Sequence, residues 1–273
     1  MIVALLAAGT LNVAALAAAS PSPSPQATAS AAPQPTPKRT LPPNAHIWQG
    51  ITPGASSQTL RTRFGEPLLV RILPSGSLLD WYPGPTTNAY VIVGERDKII
   101  QYVRAFPVTL DGPLDGLKDP YGVEPGFDYA QIKTLRGEAA GAREVGQGVA
   151  VVSYPDDAGF LWLYELTSEG VHAISLYDNN APRGDPNNAT VEDPHDGTSM
   201  GRAYQLHAKT QQEGSRFEQY YATHRNGCAT WKVANQTVLS IGSRKIDQLD
   251  LECEETKDET SMFFDVTSFY GKS

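Results

Sequence analysis

The sequence predicts an α+β protein: two tandem units, each a helix lying on an antiparallel β-meander, and then a small β-α-β-β-β domain. Residues 50–102 and 122–174 carry the same order of turn, helix and strand signals at an offset of 72 residues. The last third of the chain has its own order of strand and helix signals and holds both cysteines. Residues 20–45 have almost nothing to bury. Together these observations predict a leader followed by three packed parts.

The N-terminal segment has the features of an export signal. Residues 1–19 are apolar apart from Thr10 and Asn12, and they end in three alanines before Ser20, which is typical of a cleaved signal peptide. The alternative is an uncleaved membrane anchor, for which 19 alanine-rich residues make a weak span. Residues 20–45 are rich in Pro, Ser and Ala and predict an extended, disordered linker. We therefore expect a periplasmic or secreted protein.

The charge balance restricts the classes of partner. The chain has 22 basic and 30 acidic residues, a net charge of −8 and a pI of about 5.1. An acidic chain gains little from the counterion release that drives nucleic-acid binding, so nucleic acid is not expected as a partner. The same charge disfavours an anionic membrane surface. Membrane contact is expected only through residues 1–19, if they are not cleaved.

Each tandem unit opens with the same local signals. Unit one is placed at 46–112 and unit two at 113–180. A Gly-x-x-Pro-Gly turn comes first, followed by Ser56 or Asp128 as a helix N-cap. The short helices are expected to end at Gly65 and Gly137.

Strand signals follow each predicted helix. In unit two they are the β-branched and aromatic runs 149–154, 160–166 and 171–177, which predict an antiparallel meander. Ten of the 53 aligned pairs are identical, against about three or four expected by chance. A unit of about 70 residues supports only a small core, so the two units are expected to pack together.

The turn and helix signals resemble a known repeat. Gly50-Ile51-Thr52 and Phe64-Gly65-Glu66-Pro67 are similar to the pattern of the outer-membrane barrel-assembly lipoprotein E family, also called SmpA/OmlA-like. The tandem doubling resembles the secreted β-lactamase inhibitory protein, which is built from two such units. These resemblances imply a binding or scaffolding role and no catalytic residue. Unit two departs from the pattern at Glu124 and Ala139, and the lipidated cysteine of the family has no counterpart here.

The C-terminal domain is placed at 196–273. A strand at 203–208, a helix at 211–224 and three strands at 230–241, 245–253 and 261–270 predict an antiparallel sheet covered by one helix. One face of that helix carries Phe217, Tyr220, Tyr221 and His224 at helical spacing, which indicates its core side. The region ends in Phe263-Phe264-Asp265-Val266-Thr267-Ser268-Phe269-Tyr270-Gly271-Lys272. This run is similar to the ending of a widespread bacterial domain of uncharacterised function, a resemblance that implies a domain boundary but no function.

The polar stretch 178–201 is predicted to be an interdomain loop. Its oxygen-bearing side chains are Asp178, Asn180, Asp185, Asp193 and Asp196. They offer the ligand type that Ca²⁺ prefers, but their spacing does not fit the twelve-residue calcium loop. A solvated loop is the preferred interpretation.

Cys228 and Cys253 are the entire cysteine complement. Two cysteines in an exported chain predict one disulfide. Two thiols without neighbouring histidine pairs are too few ligands for a metal site, and the Cys-x-x-Cys spacing of redox pairs is absent.

The motif search predicts no catalytic residue, no cofactor and no metal. The five histidines are scattered, and the sequence has no Gly-x-Ser-x-Gly elbow and no phosphate-binding glycine loop. Trp81, Tyr82, Tyr90 and Trp162 are candidate binding aromatics, although strand aromatics more often pack in the core.

Two functions are compatible with these signals. The first is an exported non-enzymatic binding or envelope-scaffolding protein that contacts another envelope or secreted protein. The alternative is a secreted hydrolase with a site between the repeat pair and the C-terminal domain, near Asp193, His195 and Asp196. A pocket in which His195 or His207 faces carboxylates would favour the hydrolase.

Overall fold

The computed structural model describes residues 50–146, 148–179 and 191–273. The predicted signal segment 1–19 and linker 20–45 lie outside these ranges. Across the described ranges, every helix is too short or too polar to cross a bilayer.

Eight antiparallel strands form one large sheet in the order β1-β2-β3-β4-β8-β7-β6-β5. The first half of the large sheet consists of β1 (Leu69–Ile72), β2 (Leu78–Pro83), β3 (Ala89–Arg96) and β4 (Ile99–Pro107). The second half consists of β5 (Gly141–Gly146), β6 (Val149–Pro155), β7 (Phe160–Thr167) and β8 (Gly170–Asp178).

The predicted α+β class with two helix-plus-meander units is wrong. Of the described residues, 42% lie in strands and 15% in helices, so the protein is mostly β. The two meanders are not separate units, because β4 pairs with β8 from Tyr102↔Tyr177 to Ala105↔Ile174. An unpaired β4 or β8 would present a row of free backbone donors and acceptors, and pairing the two strands satisfies them.

Short helices cover one face of the large sheet. Helix α1 (Ser57–Phe64) begins where the Ser56 side chain accepts a hydrogen bond from the Gln58 amide. Helix α2 (Tyr129–Arg136) begins at a capping box formed by Asp128 and Gln131. The predicted ends at Gly65 and Gly137 are confirmed, since each glycine follows the last helical residue with a positive φ.

Both helices bury their apolar residues in a single core. Leu60 of α1 and Ile132 of α2 belong to one hydrophobic cluster with Val93 of β3 and Tyr164 of β7. The two halves of the large sheet therefore share one core on this face.

A matching hydrogen bond in each half fixes how the halves correspond. The Gly54 amide donates to the Ile100 carbonyl, and the Gly126 amide donates to the Val171 carbonyl, at 2.7 and 2.8 Å. Residues 54 and 126 are 72 apart, whereas residues 100 and 171 are 71 apart. The difference arises between strands, because 84–88 connects β2 to β3 and the shorter 156–159 connects β6 to β7.

This one-residue difference changes which side chains correspond. The ungapped alignment sets Tyr90 against Trp162, but these rings lie in different clusters on opposite faces of the sheet. Val91 instead shares the face of Trp162. A one-residue shift moves every strand side chain to the other face.

The C-terminal sheet has four strands in the order β10-β11-β12-β9. Its elements are β9 (Tyr204–Gln205), α3 (Gln211–Thr223), β10 (Trp231–Ile241), β11 (Arg244–Cys253) and β12 (Glu259–Asp265). A 3₁₀ turn at Met200–Arg202 precedes β9.

Helix α3 packs between the two sheets. Phe217 is fully buried in a second cluster that includes Ile92 of the large sheet and Leu249 of the C-terminal sheet. The backbone also joins the sheets, because the His207 amide donates to the Leu68 carbonyl at 3.0 Å. The C-terminal region thus covers the face of the first half that α1 does not cover.

The predicted disulfide is confirmed. Cys228 and Cys253 are bonded with their Cα atoms 5.9 Å apart. The bond ties the segment after α3 to the end of β11. Because both sulfurs are consumed in this bond, they are not thiolate ligands for a metal.

Candidate functional site

A cavity of about 680 Å³ lies between the large sheet, α3 and the C-terminal sheet. The large sheet contributes side chains from β1, β2, β4 and β8, and the other wall comes from β9, α3, β12 and two loops. The lining residues are Arg71, Trp81, Arg104, Phe106, His172, Asp196, Gly197, Thr198, Tyr204, Tyr220, Tyr221, His224, Arg225, Asn226, Thr260, Ser261 and Met262. The cavity therefore combines arginines, histidines and aromatic rings.

Two of the three lining arginines are neutralised by carboxylates. Arg71 donates from Nε to Asp193 at 2.8 Å. Arg104 makes a two-point contact with Glu165, at 2.8 and 2.9 Å. This fork-to-fork geometry is the strong form of an arginine–carboxylate pair.

Arg225 differs from the other two arginines. Its guanidinium lies 5.4 Å from the centroid of the Trp231 ring and is 3.5 Å from the Thr260 hydroxyl. In the described part of the chain, no carboxylate lies within 4.0 Å of it. Arg225 therefore brings a positive charge to the cavity that no described carboxylate neutralises.

Two histidines line the same space. His172 lies on β8, and its pKa is lowered because burial disfavours the imidazolium and Arg104 repels it. His224 follows the last residue of α3 and stacks on Tyr220 at 4.1 Å between ring centroids. Near neutral pH, His172 is a neutral group beside the arginines.

Trp81 is the centre of the aromatic wall. Its ring meets Tyr90, Phe106, Phe217 and Tyr221 edge to face, at centroid distances of 6.4, 5.9, 5.7 and 5.4 Å. Its indole N–H is buried and has no hydrogen-bond partner among the residues that the structure describes.

The structure separates the four predicted binding aromatics. Trp81 lines the cavity, and Tyr90 lies directly behind it with 5% of its surface exposed. Tyr82 and Trp162 lie on the opposite face, buried in the core beneath α1 and α2. Only Trp81 and Tyr90 are therefore brought together.

The arginines of the cavity were not among the predicted site residues. Arg71, Arg104 and Arg225 are far apart in sequence and lie in no motif. The aromatic face of α3 was a usable signal. Phe217 is in the core as predicted, whereas Tyr220 and His224 continue from that face into the cavity.

The acidic residues proposed for hydrolysis are engaged by arginines. Asp193 accepts from Arg71, and Asp196 accepts from Arg202 at 2.8 Å. Hydrogen bonds from Arg202 and Thr198 lower the pKa of Asp196 to about 2. Asp196 is therefore a stable anion at neutral pH, unsuited to give up a proton.

The neighbouring histidines do not complete an acid–base pair. The His195 Nδ1 atom is buried without a hydrogen-bond partner in the described ranges. His207 is absent from the cavity lining. The histidine–carboxylate arrangement expected for the hydrolase does not form from these described side chains.

Comparison with known proteins finds only weak similarity, and only to solved structures. No protein-family profile and no curated protein matches the chain. A DUF4309 family protein from Bacillus subtilis aligns with a TM-score of 0.37 and 14% identity, over 49% of this chain and 90% of that one.

Two further structures align at similar levels. An extracellular protein containing an SCP domain from Bacillus anthracis gives a TM-score of 0.32 and 13% identity, over 53% of this chain and 49% of that one. A cysteine-rich secretory protein from Staphylococcus aureus gives 0.30 and 13%, over 51% of each chain. The present chain thus spans about half the length of each of these two proteins.

Proposed function

We propose that the protein is an exported, non-enzymatic binding protein that holds an acidic segment of another envelope or secreted protein in the cavity between its sheets. The observation that carries this proposal is Arg225. It lines an aromatic cavity without a described carboxylate partner, in a chain whose net charge is −8.

The local charge favours an anionic ligand. Arg71 and Arg104 are already paired, so Arg225 supplies the positive charge that is left to act on a ligand. A partner carboxylate can meet a guanidinium through two parallel hydrogen bonds, which gives orientation as well as attraction. The acidic remainder of the protein repels such a ligand elsewhere, so binding is confined to this cavity.

The aromatic packing favours a peptide over a sugar. Sugar rings stack on the open faces of aromatic side chains, but Trp81 is surrounded by four other rings. The rings of Tyr220 and His224 stack, so each covers one face of the other ring. The cavity thus offers ring edges together with the polar side chains of Thr198, Asn226 and Ser261. Such a surface can contact both the side chains and the backbone of a polypeptide.

Export is supported by the leader and the disulfide. Residues 1–19 have the composition of a signal peptide, and structural disulfides persist in oxidising compartments. We further propose that the two halves of the large sheet descend from one duplicated segment. The recurring hydrogen bonds of Gly54 and Gly126 support this origin, and the resemblance to the barrel-assembly lipoprotein E repeat is part of the same proposal.

Binding is preferred over hydrolysis because the acidic residues nearest the cavity have structural partners. Asp193 also accepts the backbone amides of Ile72 and His195, at 3.2 and 2.9 Å. A carboxylate that accepts from Arg71 and two amides is held in place and stays ionised. Asp193 therefore links strand β1 of the large sheet to the loop before β9.

A direct binding measurement tests the proposal. Fluorescence anisotropy of the mature protein would use a labelled peptide of about twelve residues with glutamates among leucines and glycines, and its glutamine counterpart. We expect the acidic peptide to bind and R225E to weaken that binding about tenfold or more, the scale of losing a charge-assisted pair. R143E is the matched control, because Arg143 is exposed on edge strand β5.

Three outcomes would overturn the proposal: equal binding of the two peptides, equal effects of R225E and R143E, or binding of a sulfated oligosaccharide but of neither peptide. Circular dichroism of both variants would establish that they are folded.

A further inference from the structure

A second cavity adjoins the first at Arg225. It measures about 770 Å³ and is open to solvent. His224, Arg225 and Asn226 line both cavities. The segment after α3 is thus a shared wall, with Arg225 at the junction of two compartments.

The second compartment has its own chemistry. The disulfide and Trp231 form its wall, and Glu255 lines it as an exposed carboxylate. The Trp231 indole N–H is buried without a partner in the described ranges, as is that of Trp81 in the first compartment. Each compartment therefore holds an aromatic residue with an unused donor, and Arg225 lies where they meet.

Arg225 at the junction and Glu255 in the second compartment carry opposite charges. Arg225 attracts an acidic group at the junction, whereas Glu255 disfavours a second acidic group beyond it and attracts a basic one. A ligand that uses both compartments must be long enough to pass Arg225 and must change its charge along its length.

We propose that the two cavities form one groove for an extended segment of a partner protein, with a carboxylate at Arg225 and a basic side chain beside Glu255. This inference rests on the proposed binding function and specifies its ligand class. A polypeptide fits because an extended chain advances about 3.3 Å per residue, so residues of opposite charge can lie a short distance apart in one segment.

Filling each compartment separately tests the inference. T198W would obstruct the first compartment, and T256W the second; both threonines are exposed, so folding is expected to survive. The probes are a short acidic peptide with one glutamate and a longer peptide that carries the same glutamate followed by a lysine. We expect T198W to weaken both peptides, and T256W to weaken the longer one about tenfold while leaving the shorter one unchanged.

A charge reversal gives a second readout that does not depend on filling space. E255K should make the longer peptide bind less well than a version in which its lysine is replaced by glutamate, the reverse of the preference of the unmodified protein. If T256W and E255K leave every affinity unchanged while T198W weakens both peptides, the two-compartment inference is wrong and the binding function stands. If no peptide binds the unmodified protein, the binding function fails as well.

Discussion

The two halves of the large sheet share a strand order but differ in how they are covered. Strand β3 is buried at every position from Ala89 to Glu95, because α1 covers one of its faces and the C-terminal region covers the other. In β7, buried and half-buried positions alternate from Trp162 onward, because one face meets the helix-side core and the other has no described cover. The cavity forms at the border of the doubly covered half, where Arg104 on β4 lies near His172 on β8.

The helix-covered face also differs between the halves in its polar groups. Beneath α1, Arg61 contacts two buried carboxylates, Asp80 at 2.8 Å and Glu95 at 3.4 Å. Beneath α2, Arg136 and the Tyr164 hydroxyl meet at 2.6 Å, and the same hydroxyl donates to Asp119 at 2.6 Å. Similar helices thus cover different polar networks, so similar backbones do not imply similar chemistry.

The largest expected effect comes from removing the disulfide bond of the C-terminal region, which covers the first half of the large sheet. Replacing both cysteines, C228S with C253S, should lower the free energy of unfolding by about 3–4 kcal/mol, because the bond closes a loop of about 25 residues. Urea denaturation measures the loss, and hydrogen exchange should show β11 losing more protection than β7. An unchanged midpoint would show that the covered half does not depend on this bond.

Matched truncations in the two halves test the difference in cover directly. Ile92 on β3 and Leu163 on β7 are 71 residues apart and point to the same face of the sheet. Ile92 is buried against the second cluster, whereas Leu163 is half-buried. We expect I92A to cost about 3 kcal/mol and L163A less than about 1 kcal/mol in urea denaturation. Equal costs would contradict the finding that, among the described residues, Ile92 is covered on its face of the sheet and Leu163 is not.

The smallest expected effect is pH-dependent and comes from the covering helix. Glu218 of α3 is 1% exposed, and its burial together with the neighbouring Asp247 carboxylate raises its pKa to about 9. Gln236 donates to Asp247 Oδ2 at 2.6 Å, which favours a charged Asp247 beside Glu218. A carboxyl with a raised folded-state pKa stabilises the fold below its ordinary pKa of 4.5, and this contribution is lost as the pH rises towards 9.

E218Q should therefore leave Tm unchanged near pH 4.5 and raise it by about 5 °C near pH 6, because the amide is never ionised. Thermal unfolding at both pH values measures this. A variant that is less stable than the original at the higher pH would show that the ionised carboxylate is tolerated.

Local chemistry explains which features the sequence could predict. The helix boundaries at Ser56, Asp128, Gly65 and Gly137 follow from capping, which involves residues only a few positions apart. The disulfide followed from cysteine count. Pairing of β4 with β8 was missed because an alternating strand pattern reveals the buried face but not the neighbouring strand.

The candidate site was missed for a related reason. Trp81 and the α3 aromatics gave a signal, since they are large residues in regular patterns. Arg71, Arg104 and His172 lie on three strands of the large sheet. Tyr221 and Arg225 face them only because the C-terminal region folds over one half of that sheet. No spacing in the sequence encodes that contact.

The pairing of β4 with β8, the seam between the two halves of the large sheet, limits how the amino-acid sequence of this protein can evolve. Four residue pairs and the stacked rings of Tyr102 and Tyr177 join the halves, and a single apolar interior runs beneath both helices. Neither half can drift in sequence on its own, since a bulkier or smaller side chain on one side of the seam must be accommodated by its neighbour across it. Divergence is freest where this constraint ends, on the face of β7 that no described residue covers.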